Sequence, residues 1–360
     1  MTGAGASAAD LELKGVTKAY GGVIAVDGID LAIASGKFIA LLGPSGCGKT
    51  TTLRMVAGFV APSAGRIFLR GRDITELPPH RRDMGMVFQS YALFPHMTVR
   101  RNIEFGLRSH GVGKHEMGKR VAAALELVGL GAHDRRYPRE LSGGQQQRVA
   151  VARVLALNPK LLLFDEPLSN LDAKLRVQMR QEIRKLQQAV GVTTLFVTHD
   201  QDEALTMADQ VVVLNQGRVE QIGTPAEIYD RPRTRFVADF IGSSNFLAGT
   251  ASAEPSGRGI FTSASGLRLA LEDGPLRSAA GVLSVRPEKI EFVASAAQDA
   301  FGGTIGSVTR LASILEYAVR LDAGDEMTVQ EQRRPGLAER VVGTRVVLRW
   351  RPEDTRFFAG

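Results

Sequence analysis

A single cysteine, Cys47, rules out a disulfide within this chain, and nothing points to an oxidising compartment. Long apolar runs are missing too. Stretches such as LLLF and FIALL reach four or five residues, whereas a membrane-crossing helix needs about 20. The opening residues MTGAGASAADLELK carry neither a basic start nor an apolar stretch, so no signal peptide is expected. Aromatics make up only 6% of the chain, and no interleaved aromatic and basic motif of an RNA binder occurs. These absences predict a soluble chain, one still able to dock on a membrane protein.

What is present sets the scale. The 360 residues suffice for two domains, and a hydrophobic content of 44% for packed cores. The net charge of +7 favours an anionic neighbour: phosphate, nucleic acid or a membrane surface. Much of it lies in residues 100–139, where nine basic side chains face four acidic ones. A solvated helical surface explains that excess equally well.

Periodicity orders the elements. LELKGVTKAY and IDLAIA alternate as half-buried antiparallel strands do, while FIALL (38–42) and LLLFDE (161–166) read as strands buried on both faces. A helix is expected from near Lys49, residues 90–157 read as mainly helical, and LSGGQQQRVAVARVLALNP predicts a helix running to Pro159. Leu175, Met179, Ile183, Leu186 and Val190 fall on one helix face. TTLFVTH and QVVVLNQG are two more strands, with the helix DEALTMA between them. Strands alternating with helices imply a parallel sheet with crossover helices. Near residue 240 the chain turns rich in Gly, Ser and Ala, and then gives short alternating segments that predict a small all-β barrel or sandwich. Within it, VRPEKI (285–290) and WRPEDT (350–355) echo each other, by coincidence or as two similar strand ends.

Two stretches carry chemistry. GPSGCGKT fits G-x-x-x-x-G-K-[ST] at Gly43, Gly48, Lys49 and Thr50, between a buried strand and a helix. Such a loop turns backbone N–H groups onto phosphate oxygens, Lys49 reaches the β- and γ-phosphates, and the Thr50 hydroxyl binds Mg²⁺. Asp165, at the end of a buried strand, suits the Mg²⁺ shell, and Glu166 beside it is placed to polarise a water. A second serine-glycine helix start, Ser142-Gly143-Gly144-Gln145, offers another anion seat or a plain N-cap.

Taken in order, GPSGCGKTT, VFQS, LSGGQ, LLLFDEP, SNLD and FVTHD closely resemble the Walker A, Q-loop, signature, Walker B, D-loop and H-loop of the ATP-binding subunits of ABC transporters, over residues 11 to about 235. The resemblance implies an α/β P-loop NTPase with a RecA-like core over residues 1–238, including a helical subdomain at about 90–157. A small all-β, OB-like regulatory domain of the TOBE kind follows over 239–360. It implies an ATPase working with Mg²⁺, in a head-to-tail homodimer whose signature closes on the partner chain's nucleotide. Gly43, Pro44, Ser45, Gly46, Cys47, Gly48, Lys49, Thr50 and Thr51 then hold the nucleotide with Tyr20, whose ring stacks on adenine or packs on its own sheet. Ser142, Gly143, Gly144, Gln145 and Asp172 complete the pocket. Glu166 is the catalytic carboxylate, His199 the γ-phosphate partner, and Thr50, Gln89 and Asp165 the metal contacts. As the only cysteine and a member of this loop, Cys47 is expected to be open to thiol reagents and shielded by ATP.

YALFPHMTVRRNIEFGL resembles the importer branch, which implies transmembrane permease subunits, indirectly a periplasmic or lipid-anchored solute-binding protein, no nucleic acid, and a peripheral place on the cytoplasmic face of the inner membrane. FVADFIGSSNFL and the two RPE segments look most like the polyamine (spermidine/putrescine) group; ferric iron, phosphonate and sugar subunits are similar. The rival reading is a soluble ABC ATPase acting on nucleic acid or ribosomes.

Overall fold

The computed structural model describes residues 9–253, 259–271, 278–294, 300–336 and 338–360. The chain forms two compact units, residues 1–226 and 227–360, each around its own apolar core.

The strands of the first unit are β1 (Ala9–Tyr20), β2 (Val23–Ala34), β3 (Phe38–Leu42), β4 (Ala64–Leu69), β5 (Arg72–Asp73), β6 (Met84–Val87), β7 (Leu161–Asp165), β8 (Thr193–Thr198), β9 (Gln210–Asn215) and β10 (Arg218–Gly223). Its helices are α1 (Lys49–Ala57), α2 (Val99–Ser109), α3 (Lys114–Leu127), α4 (Gly143–Leu155), α5 (Ala173–Val190) and α6 (Gln201–Met207). One sheet is antiparallel, in the order β2-β1-β4-β5; the other runs β10-β9-β3-β8-β7-β6, parallel except for β10. Every residue of β3, β7 and β8 is buried, which is why those strands read as largely apolar segments rather than as alternation. The polar members of β8 are satisfied: the Thr193 hydroxyl accepts from the Gly36 amide at 2.8 Å, and the Thr198 hydroxyl donates to Glu203 at 2.6 Å.

Helices α2, α3 and α4 share a core of Val99, Ile103, Leu107, Val121, Leu125 and Val149. Of the nine basic side chains beside it, three pair within the stretch, Arg100 on Asp134 (3.0 Å), Arg108 on Glu104 (3.3 Å) and Arg120 on Glu116 (2.8 Å), and the other six are exposed, as on a solvated helix surface. Helix α4 stops at Leu155, short of Pro159. Asn158 turns into the left-handed region at φ 53° and its amide returns to the Leu155 carbonyl at 2.9 Å. The predicted face of α5 holds at Met179 and Ile183, but Val190 is exposed. Gln187 takes the inner position instead, its amide donating to the carbonyls of Gly36 and Val192, both at 2.8 Å. A polar side chain can sit there because its donors are met.

Helices α7 (Pro225–Asp230) and α8 (Arg235–Phe240) precede β11 (Asn245–Ala253), β12 (Gly259–Ser263), β13 (Arg268–Leu271), β14 (Ala279–Val285), β15 (Glu291–Phe292), β16 (Phe301–Leu311), β17 (Ile314–Leu321), β18 (Glu326–Gln332), β19 (Arg345–Arg349) and β20 (Thr355–Ala359). Two five-stranded antiparallel sheets, β13-β12-β11-β14-β20 and β15-β19-β16-β17-β18, contribute to one core that includes Phe261, Leu283, Leu315, Tyr317 and Leu348. The start of the stretch rich in small residues supplies β11, which sits between β12 and β14. A Cβ on Gly249 would collide with the Thr262 carbonyl and meet the Phe261 ring at 2.6 Å, so the small residue is a packing requirement. The change of texture near residue 240 also falls later than the change of packing. Buried Arg286 ties the turn after α8 to β14, donating to the carbonyls of Ala238 and Ser243 and to the Ser244 hydroxyl at 2.9–3.0 Å, and to the Tyr229 carbonyl at 3.0 Å. The two RPE segments adopt the same form: each follows a strand and opens a 3₁₀ turn, at Pro287–Lys289 and Pro352–Asp354, and Lys289 pairs with Asp354 at 3.5 Å.

Candidate active site

Four turns leave the carboxyl ends of the neighbouring parallel strands β3, β8, β7 and β6, the edge at which open α/β sheets bind ligands. The turn after β3 is the glycine loop. Gly43 has no room for a side chain, because a Cβ would strike the Leu214 carbonyl oxygen. Gly48 adopts φ 99°, and its Cβ would approach the Ala25 carbonyl to 2.6 Å. Helix α1 follows with no side-chain cap. Among the described residues the amides of Gly46, Gly48, Thr50 and Thr51 have no acceptor, which leaves a row of donors at a helix start.

Lys49 is buried, 5% exposed, and no carboxylate among the described residues pairs with it. Its ammonium donates instead to the carbonyls of Gly43 (2.7 Å) and Pro44 (2.9 Å). A buried cation held by two neutral carbonyls and, at 3.8 Å, the Cys47 sulfur is under-compensated, and an anion at the loop would correct that. Ser45 and Gly46 are exposed at the tip, while Thr51 is half-buried. Cys47 is 3% exposed and burial pushes its thiol pKa up, against the pull of Lys49. Burial argues against the expectation of a readily attacked thiol: the Cys47 side chain is enclosed, with its sulfur 3.8 Å from the Lys49 ammonium.

The Thr50 hydroxyl lies 3.3 Å from Asp165 at the end of β7. Burial raises the Asp165 pKa, with Glu166 adding to the rise and Thr50 and Arg54 opposing it. A hydroxyl and a buried carboxylate in contact are the hard oxygen donors that Mg²⁺ takes. Glu166 stands at φ 45°, a left-handed backbone rare for a branched-off side chain and a form of strain common at active sites. Its amide is tied to the Val197 carbonyl at 3.1 Å, and its Oε2 lies 3.0 Å from Nδ1 of His199. His199 follows β8 directly and is half exposed, so both groups face the same opening.

Gln89, two residues past β6, does not contact Thr50 or Asp165 directly. Its side-chain amide donates to the Ser169 hydroxyl at 3.1 Å, and the Asn170 side chain donates to the Gln89 backbone carbonyl at 3.0 Å. Ser169 in turn donates to the Glu166 carbonyl at 3.0 Å. Ser169 and Asn170 were not singled out by the sequence, although they lie in SNLD; their role is visible only once the two turns are adjacent. Asp172 caps α5, accepting from the Leu175 amide at 2.9 Å. Ser142 and Gln145 cap α4 reciprocally: the Gln145 side chain accepts from the Ser142 amide at 3.0 Å, and the Ser142 hydroxyl accepts from the Gln145 amide at 3.4 Å. Gly143 and Gly144 lie against Leu171 and Leu175. Within one chain, then, these hydroxyls and carboxylates have ordinary capping roles. Tyr20 leaves much of its ring open to solvent. It is 49% exposed at the end of β1, with Lys18 over its ring at 5.0 Å and exposed Val23 and Ile24 beside it on β2.

Residues 26–169 match the ABC transporter family and residues 283–358 the TOBE domain. The spermidine/putrescine import ATP-binding protein PotA of Frankia alni is 50% identical, over 97% of this chain and 79% of its own length. The Fe(3+) ions import ATP-binding protein FbpC 2 of Rhizobium meliloti is 54% identical over 76% of this chain and 68% of its own. Among solved structures, cbiO1 of Clostridium perfringens, part of the ABC transporter complex cbiONQ, is similar with a TM-score of 0.58 and 32% identity, over 61% of this chain and 90% of that one. The chain belongs to the ATP-binding subunits of ABC transporters, the family of ATPases, and carries that family's C-terminal TOBE domain.

Proposed function

We propose that the chain powers a membrane importer of polyamines, acting as a homodimer that sandwiches two Mg-ATP on the cytoplasmic face of the inner membrane. The observation that carries the reading is the convergence of Lys49, Thr50, Asp165, Glu166 and His199 on adjoining strand ends. Lys49 exchanges its carbonyl partners for phosphate oxygens, and the free amides of the loop supply further donors. Thr50 and Asp165 hold Mg²⁺, directly or through water, with Gln89 joining them. The metal supplies charge neutralisation between the phosphates. Glu166 positions a water for in-line attack, and His199 holds both the carboxylate and the γ-phosphate in place. Tyr20, with Val23 and Ile24, offers a flat apolar platform to adenine.

The signature turn, Ser142 to Gln145, and Asp172 complete the pocket of the opposite chain, which makes the interface two-fold and isologous. Driving such a closure from 1:99 to 99:1 needs about 5.5 kcal/mol of differential binding. Two γ-phosphates gripped from both sides, at about 1.5–3 kcal/mol per charge-assisted hydrogen bond, supply that amount. Closure and opening then rock the permease subunits, which receive cargo from a solute-binding protein.

Relatives named for spermidine/putrescine import match over most of both chains, and relatives named for Fe(3+) import make iron the second reading. Uptake of labelled spermidine and of Fe³⁺ in cells lacking this chain separates the two. Loss of spermidine uptake alone supports the proposal, loss of iron uptake alone transfers it to iron, and retention of both removes it.

A further inference from the structure

The second unit contains a pocket of about 390 Å³ whose lining includes Arg268, Phe301, Arg349, Trp350 and Arg351, with no carboxylate among its lining residues. The Phe301 and Trp350 rings lie 4.8 Å apart and 32° from parallel, forming one aromatic wall. Trp350 is 6% exposed, so its ring is held firmly at the pocket edge. Arg349 and Arg351 each touch one carboxylate outside the pocket, Glu291 at 3.1 Å and Glu353 at 3.5 Å. All four of those side chains are well exposed, and exposed ion pairs contribute only about 0–1 kcal/mol. A guanidinium carries five donors, so one weak contact leaves most of them for a ligand.

We propose that this pocket binds a small planar organic anion, an aromatic ring carrying a phosphate or carboxylate. The guanidinium groups take the anionic group in fork geometry, and the ring lies against the Phe301–Trp350 wall. The volume falls at the small end of the range for ligand pockets. The sign of its charge repels a polyamine, so its occupant is distinct from the proposed cargo, and the inference stands whichever solute the importer carries.

Trp350 is the only tryptophan in the chain, so its emission reports on the pocket directly. The full chain is titrated with phenyl phosphate and with benzoate while Trp350 emission and heat of binding are followed. Both probes are expected to saturate, whereas benzyl alcohol and inorganic phosphate, each lacking one half of the ligand, do not. Arg268→Glu and Arg351→Glu should each weaken binding at least about ten-fold, while Lys49→Ala leaves it unchanged and so excludes the phosphate loop. Arg351→Gln serves the same comparison if a charge reversal does not fold. The proposal is overturned by the absence of saturation up to about 10 mM, by equal affinity in the arginine variants, or by inorganic phosphate binding as tightly as phenyl phosphate.

Discussion

Nδ1 of His199 and Oε2 of Glu166 stand 3.0 Å apart on turns that leave the adjacent strands β8 and β7. Neither turn alone would place its side chain. Register between the strands sets Asp165 opposite Val197, and the Glu166 amide then hydrogen-bonds the Val197 carbonyl. The carboxylate is thus presented by sheet pairing, with a left-handed backbone turning it out of line with Asp165.

That placement makes Glu166→Gln a clean test. The amide is nearly isosteric and leaves Lys49, Thr50 and Asp165 in place, so ATP should still bind. Hydrolysis should fall by about 10²–10⁴-fold, the usual contribution of a positioned base, and an ATP-bound dimer should accumulate. Steady-state turnover with light scattering in Mg-ATP checks both. Hydrolysis at the parental rate would show that some other group orients the water.

Ser142→Arg separates the capping role of Ser142 from a role in the pocket. Ser142 is exposed, and its cap is confined to Gln145. Losing the cap costs about 1 kcal/mol, too little to unfold a unit of this size. Binding of ATP by the isolated chain should stay near the parental affinity while turnover disappears. Ser142→Ala, which removes the same cap without adding bulk, should keep most of its turnover. Equal turnover in all three proteins would refute the shared site.

Cys47 should react slowly. The thiolate is the attacking species, and here the thiol is buried with its pKa raised. Modification by a water-soluble disulfide reagent at neutral pH should lag at least about ten-fold behind the same chain in denaturant, with or without Mg-ATP. Fast labelling of the folded chain would mean that the loop opens readily.

Much of this site was legible because its parts are local. A buried strand, a glycine loop and a helix start are contiguous in sequence, with Gly43 required by the close Leu214 carbonyl and Gly48 by its left-handed backbone. Contacts between distant turns were not legible. The Gln89–Ser169–Glu166 chain of hydrogen bonds joins β6 to β7 and exists only because those strands are neighbours. Composition marked the second unit without explaining it: the small residue at Gly249 in β11 is demanded by Phe261 and the neighbouring strand. Periodicity misled at the end of α5, where Gln187 is buried and Val190 is not, because two free carbonyls made the polar side chain the better fit.

Glu203 gives the chain a pH signature. It is 3% exposed at the start of α6 and accepts from the Thr198 hydroxyl at 2.6 Å. Burial raises its pKa, as does Asp200, while Thr198, Arg180 and Arg176 pull it down. A carboxyl whose folded pKa is raised binds its proton more tightly in the folded chain than in the unfolded one. The ionised form therefore carries a penalty, which sets in as pH rises above the ordinary carboxylate range and is fully present above the raised value. Glu203→Gln removes that penalty and keeps an acceptor for Thr198. The variant should melt about 2–4 °C above the parent at pH 7, the shift that about 1 kcal/mol brings in a unit of this length, and the gap should close towards pH 4. Comparing variant with parent at each pH cancels the other carboxylates. A variant less stable than the parent at pH 7 would mean that Arg176, 4.0 Å away, holds the carboxylate ionised at a net gain.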